Sequence, residues 1–186
     1  MATVAKPKLL TAEEFMAADL GDGCFELVRG EVVELPPAMP EHGVICNNVA
    51  GIFWNYGRES GYGYSLSNDS AVVTERGPDT VRGPDVCFYS HARWPRSELG
   101  NSLPPVPPDV AVEVVSPGNR RGAIQRKVSE YLVIGTLLVW VVYPASRSVA
   151  IHRSDNEPPR VFHDGAVIED LPELPGFRCP VADFFI

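Results

Sequence analysis

Residues 109–142, DVAVEVVSPGNRRGAIQRKVSEYLVIGTLLVWVV, decide the fold of this chain. The first apolar run, Val110 to Val115, has one charged member, Glu113. A Ser-Pro-Gly-Asn turn follows, then a basic segment with Arg120, Arg121, Arg126 and Lys127, and a second apolar run from Leu137 to Val142 closes the unit. Apolar runs of this length, bounded by turn residues, suit strands buried on both faces. A helix between them supplies the crossover that joins such strands. The stretch therefore reads strand, helix, strand, and the fold class is α/β. Glu113 is the anomaly. A carboxylate inside a buried strand is costly unless a cation or a set of donors compensates it, so something positive must lie against it.

Outward from this unit, the rest of the chain punctuates itself. Thr11 followed by Glu14 forms a capping box and opens a short helix to about Ala18. Phe25–Val28, Arg29-Gly30 and Glu31–Leu35 read as a hairpin. From Glu41 to about Glu59, Val44, Ile45, Val49, Ile52, Phe53 and Tyr56 recur at helical spacing. Tyr62–Leu66 and Ser70–Val73 are strand-like, residues 74–84 form a turn-rich link, and Val86–Tyr89 is a buried strand that Pro84-Asp85 opens. His91 to Pro108 is a long proline-rich loop bearing Arg93 and Arg96. Beyond the central unit, Ser148–His152, Arg160–Phe162 and Ala166–Ile168 are short strands before a tail, LPGFRCPVADFF. No repeat or linker divides the chain, so residues 1–186 are expected to form one domain.

Composition narrows the class further. Apolar content of 45% is that of a globular protein. A net charge of -8 disfavours indiscriminate coating of nucleic acid but leaves room for a local basic cleft. Cys24, Cys46, Cys87 and Cys179 form no Cys-x-x-Cys pair and no zinc-like Cys/His spacing, so reduced, inert thiols are expected. The amino terminus lacks a signal-peptide core, and no run approaches a membrane span. A soluble cytoplasmic protein with no membrane partner is the expectation.

Three residues combine into chemistry. Asp85 opens one strand and Glu113 lies within the next long one; on neighbouring strands, roughly 5 Å apart, the two carboxylates can converge on one divalent cation. Magnesium suits a site of one or two carboxylates completed by water and phosphate, with manganese as its substitute. With Ile124, Val128, Tyr131 and Leu132 as the buried helix stripe, Lys127 falls about 80° from its centre, at its edge. Its amine can then reach back toward the strand ends. Two acidic ligands and a lysine are the apparatus of phosphodiester hydrolysis. Asp109 is a weaker partner for Glu113, because four strand residues span about 13 Å, and Asp79 suits a turn cap. Each residue alone has an ordinary use: Asp85 in satisfying backbone amides, Glu113 in pairing with Arg120 or Arg121, Lys127 as a solvated helix residue.

The chain also resembles a known bacterial family, the Uma-type restriction endonucleases of the PD-(D/E)XK nuclease superfamily. The resemblance rests on Phe25-Glu26-Leu-Val-Arg-Gly-Glu31, Pro40-Glu-His42, Arg82-Gly-Pro84-Asp85-Val86 and Pro107-Pro-Asp109-Val-Ala-Val-Glu113-Val-Val-Ser116-Pro117. Lys127-Val-Ser-Glu-Tyr131 and Leu174-Pro-Gly-Phe177 extend it over nearly the whole chain. It implies a restriction-endonuclease-like fold, a mixed central β-sheet flanked by helices, here with an N-terminal hairpin and C-terminal β additions. It implies magnesium at paired carboxylates, with Asp85 matching the aspartate of PD and Glu113 the glutamate of (D/E)XK. Val115 stands where the superfamily lysine would, and Lys127 matches a lysine supplied from the next helix. Glu26 and His42 match positions that line the cleft, as a third acidic group and a polar contact. Their ordinary uses are a hairpin ion pair and a polar residue near a helix start.

The expected function is thus a magnesium-dependent endonuclease acting on DNA, with Arg120, Arg121 and Arg126, joined by Arg93 and Arg96, holding phosphates. A homodimer would suit the cutting of both strands. The rival, favoured by Val115 and the acidic net charge, is a non-catalytic nucleic-acid-binding or protein-interaction module that keeps the nuclease fold.

Overall fold

A computed structural model describes residues 8–116, 118, 121–154 and 157–186. Arg120 lies outside the described residues. The Thr11 side chain accepts the Glu14 N–H while Glu14 reaches back to the Thr11 N–H, so the capping box starts helix α1 (Ala12–Ala17) as its sequence requires. Strands β1 (Cys24–Val28) and β2 (Glu31–Leu35) form the hairpin. Its turn residues Arg29 and Gly30 both have positive φ, 51° and 81°, the conformation that a two-residue connection of this twist needs. Helix α2 (Pro40–Ser60) opens on proline and ends on Gly61 in the left-handed region.

Strands β3 (Gly63–Ser67), β4 (Val72–Glu75), β5 (Thr80–Arg82) and β6 (Val86–Ser90) follow. β5 corrects the expectation of a turn-rich link over 74–84. Three residues between two Gly-Pro pairs have no pattern of their own, and their strand form comes from pairing with β1 and β4 on either side. The central unit is β7 (Val110–Val114), helix α3 (Arg121–Val133) and β8 (Leu138–Tyr143), with β7 and β8 parallel as the crossover reading predicts. Strands β9 (Ser148–His152), β10 (Arg160–His163), β11 (Val167–Ile168) and β12 (Cys179–Pro180) complete the chain, the last within the unassigned tail.

Six strands form a mixed sheet in the order β10-β9-β8-β7-β6-β3, in which β7–β8 is the parallel pair. Four more form an antiparallel sheet, β2-β1-β5-β4. One face of the six-stranded sheet packs Val86, Phe88, Val112, Val114 and Trp140 against Ile45, Val49 and Phe53 of α2 and against Leu174, Phe177 and Phe184 of the C-terminal segment. The opposite face packs Ala111, Val139 and Val141 against Ile124, Val128 and Tyr131 of α3, with Val72 of β4 joining them. The alternation along β7 sends Val112 and Val114 to the first face and Ala111 and Glu113 to the second. The sheet end between α2, α3 and the small sheet is where the charged residues gather.

Candidate active site

Glu113 is 4% exposed, and the positive charge that its burial demands is Lys127. The Lys127 amine lies 3.2 Å and 3.0 Å from the two Glu113 carboxylate oxygens, and the Tyr131 hydroxyl donates to Glu113 Oε1 at 2.8 Å. The same amine is 2.9 Å from Glu26 Oε1, so one cation holds two carboxylates, one from β7 and one from β1. Glu26 in turn accepts from Arg82 Nη1 at 2.7 Å. The Arg82 guanidinium also grips Glu130 of α3 through Nε at 2.6 Å and Nη2 at 2.9 Å. This fork-to-fork geometry is the strong form of an ion pair.

The lattice holds three carboxylates (Glu26, Glu113, Glu130) against two cations (Lys127, Arg82), an excess of one negative charge. Burial and these charges together shift its members. Burial pushes Glu113 up to about 7, against the pull of Lys127 and with the help of the Asp85 charge. Burial also opposes the charge on Glu26, but Lys127 and Arg82 outweigh it and hold that carboxyl below its ordinary value. Lys127 is likewise disfavoured by burial, yet Glu113 and Glu26 together raise it above the usual lysine value. Glu113 is buried and shares Lys127 with Glu26, and its burial favours the protonated form.

Asp85 stands at the start of β6, which pairs antiparallel with β7 as the site reading requires. Past the end of that ladder its Oδ2 accepts the Val114 N–H at 2.6 Å, so the backbone-satisfying use is realised. Its Oδ1 lies 3.0 Å from His42 Nε2, and the other ring nitrogen of His42 lies 3.0 Å from the Ser116 hydroxyl. The bond to Asp85 raises the His42 pKa against the effect of burial. Asp85 and Glu113 act on each other electrostatically, but each is held by its own partner, His42 for one and Lys127 for the other.

Three contributors escape the sequence reading. Asp69, in the turn between β3 and β4, is raised by burial and then by the Asp85 charge, so it faces the same cluster. It is pressed onto Gly83, where an added Cβ would come within 2.7 Å of the Asp69 Cβ, so only glycine fits two residues before Asp85. Cys46 is one helical turn after His42, and His42, Cys46 and Asp85 present ligand atoms all within 4.8 Å of one another. The spacing His42-x-x-x-Cys46 on a predicted helix was the available signal. Arg82, assigned to a turn-rich link, is the third, as a buried cation of the lattice.

Among the basic residues, Arg121 and Arg126 are exposed on α3 and make no ion pair among the described residues. Arg93, by contrast, pairs with Asp109 at 3.1 Å and donates to the Pro107 and Gly135 carbonyls, so it pins the long loop. Arg96 lies over the Trp54 ring at 5.5 Å. A groove of about 400 Å³, lined by Phe15, Asp69, Ala71, Val81, Arg82 and Gly83, opens beside the cluster.

A profile of the Uma2 family, described as "Putative restriction endonuclease", matches residues 12–182. The chain belongs to the Uma2 family. No curated protein matches it. Among solved structures it is similar to a "putative nuclease belonging to DUF820" from Anabaena variabilis ATCC 29413, at 19% identity and TM-score 0.80, covering 95% of this chain and 97% of that one. At that identity the likeness establishes the fold: a mixed sheet flanked by helices, shared with a nuclease-named protein. Uma2 membership supports a nuclease and hence a nucleic-acid substrate. Among the described residues no helix is long and apolar enough to cross a membrane.

Proposed function

We propose that the protein is a metal-dependent endonuclease that hydrolyses phosphodiester bonds in DNA, with Asp85 and Glu113 as ligands of Mg2+ or Mn2+ and Lys127 as the assisting cation. The observation that carries this reading is the Lys127 amine held between Glu26 and Glu113, one strand from Asp85. The donor set fits a hard divalent ion. It is oxygen-rich and over-acidic, and a cation is what would bring Glu113 from about 7 back into the carboxylate range. When bound, the ion supplies polarisation of the phosphate and a more acidic attacking water.

The remaining tasks belong to the chain. Lys127 stays protonated because two carboxylates hold it, and it offsets the negative charge that builds on the phosphoryl oxygens. Glu26 and Tyr131 fix the positions of Lys127 and Glu113. Arg121 and Arg126, with Arg120 beside them in sequence, would hold flanking phosphates. A second reading, a binding module without catalysis, is favoured by Val115, which occupies the superfamily lysine position and packs against the apolar cluster of α3.

The test is cleavage of supercoiled plasmid with Mg2+ or Mn2+ by wild type, Asp85→Asn and Lys127→Gln, each checked for native circular dichroism. Metal-dependent nicking lost in both variants is expected. Equal activity in all three would overturn the assignment, and salt-dependent DNA binding with no cleavage would favour the binding module.

A further inference from the structure

We propose that His42, Cys46 and Asp85 form a second kind of metal site, one that takes a borderline transition-metal ion of the Zn2+ class. The three residues come from two elements. His42 and Cys46 share one face of α2 a single turn apart, and Asp85 is brought to that face by the start of β6. Their ligand atoms lie within 4.8 Å of one another, with His42 Nε2 and Asp85 Oδ1 only 3.0 Å apart. Two ligands at about 2.0–2.2 Å from a tetrahedral ion are separated by about 3.4 Å, so that pair need open by only about 0.4 Å.

The surroundings fix two of the three ligands, Asp85 and His42. Asp85 Oδ2 is occupied by the Val114 N–H, which fixes the carboxylate and leaves Oδ1 facing the imidazole. Ser116 Oγ lies against the other ring nitrogen at 3.0 Å. Metal-bound histidines are oriented in this way by a hydrogen bond at their second nitrogen. A hydroxyl serves either tautomer. It donates to Nδ1 while Nε2–H donates to Asp85, and it accepts from Nδ1–H once Nε2 ligates an ion. Loading therefore replaces the His42–Asp85 hydrogen bond by bonds to the ion and keeps the one to Ser116. His42 and Asp85 keep 15% and 14% of their side-chain surface exposed, so neither is sealed from solvent.

Ligand chemistry sets the metal. A thiolate is a poor partner for Mg2+ or Ca2+ and a good one for Zn2+, and an imidazole points the same way. Three protein ligands leave the fourth position of a tetrahedral ion open. Binding releases the Cys46 thiol proton to solvent. None of this requires nucleic acid or hydrolysis. One consequence does rest on the proposed nuclease reading: Zn2+ at this site engages Asp85 and so inhibits Mg2+-dependent cleavage.

The metal-stripped full chain titrated with Co2+ tests the site without DNA. The expected result is one equivalent of thiolate-to-cobalt charge-transfer absorption, displaced by Zn2+, retained in Cys24→Ser and lost in Cys46→Ser. Ser116→Ala should weaken Co2+ binding by about 10–100-fold. Alkylation mapped by mass spectrometry reads the same site in the unsubstituted chain, where Zn2+ should protect Cys46 and leave Cys24 reactive. No charge-transfer band, a band that survives Cys46→Ser, or unprotected Cys46 would overturn the proposal. Because no readout involves cleavage, these outcomes stand apart from success or failure of the nuclease reading.

Discussion

The two faces of the six-stranded sheet are built on opposite principles from the same strands. Under α2, Phe53, Phe88, Trp140 and Phe177 meet at ring-centroid distances of 5.2–5.6 Å, and Val112 and Val114 of β7 point into them. Under α3, the neighbouring β7 residue Glu113 enters a lattice of Lys127, Glu26, Arg82 and Glu130. The aromatic face gains from burial and rigid ring packing, in which no ionised group takes part. The ionic face must compensate the desolvation of five charges, and it does so only while every partner is present. The first face makes the fold stable; the second holds charged groups in fixed positions.

The largest effects should come from breaking either face outright, and the contrast lies in their pH dependence. Phe53→Ala removes a fully buried ring and is expected to cost about 3–5 kcal/mol in urea unfolding, by a similar amount at pH 5 and pH 8. Lys127→Ala leaves Glu113 and Glu26 facing each other without their shared cation, and about 3–5 kcal/mol is expected there too. That second loss should be greater at pH 8 than at pH 5, because the stranded carboxylates are then ionised. Equal pH dependence in the two variants would erase the distinction.

Glu113→Gln sharpens it with a smaller effect. The folded-state pKa of Glu113 is raised from 4.5 to about 7, so its contribution to stability is fully present below 4.5 and is lost as pH rises through 7. The difference between the Gln variant and wild type should therefore shift in favour of the variant over that window. A constant difference from pH 4.5 to pH 8 would mean that Lys127 neutralises Glu113 completely. His152 gives a control on another strand: burial lowers its pKa, so its contribution is present above 6.5 and falls away as pH drops through the lower folded value.

The smallest stability effects belong to the outer surface of α3. Arg121→Ala and Arg126→Ala should change stability by no more than about 0.5 kcal/mol. Each should still weaken DNA binding and reduce the slope of affinity against salt by about 1.

The central strand–helix–strand unit, the capping box and the hairpin were legible because period, caps and turn residues agree there. The demand that Glu113 be neutralised was legible as a matter of desolvation, and the edge position of Lys127 on its helix pointed to the group that meets it. The rest depends on contacts distant in sequence. Thr80–Arg82 becomes a strand only because β1 and β4 flank it, and with it Arg82 enters the lattice. Asp69 reaches the cluster through a turn seated on Gly83, and Cys46 through a helix face shared with His42. Arg93 illustrates the converse: its expected phosphate role gives way to Asp109, a carboxylate buried at the start of β7.

Calorimetric titration of the metal-stripped chain with Mg2+ tests most directly whether this charged end of the sheet is a metal site. One Mg2+ per chain is predicted for wild type, with the heat lost in both Asp85→Asn and Glu113→Gln. No heat for wild type, or binding unchanged in Glu113→Gln, would contradict the account.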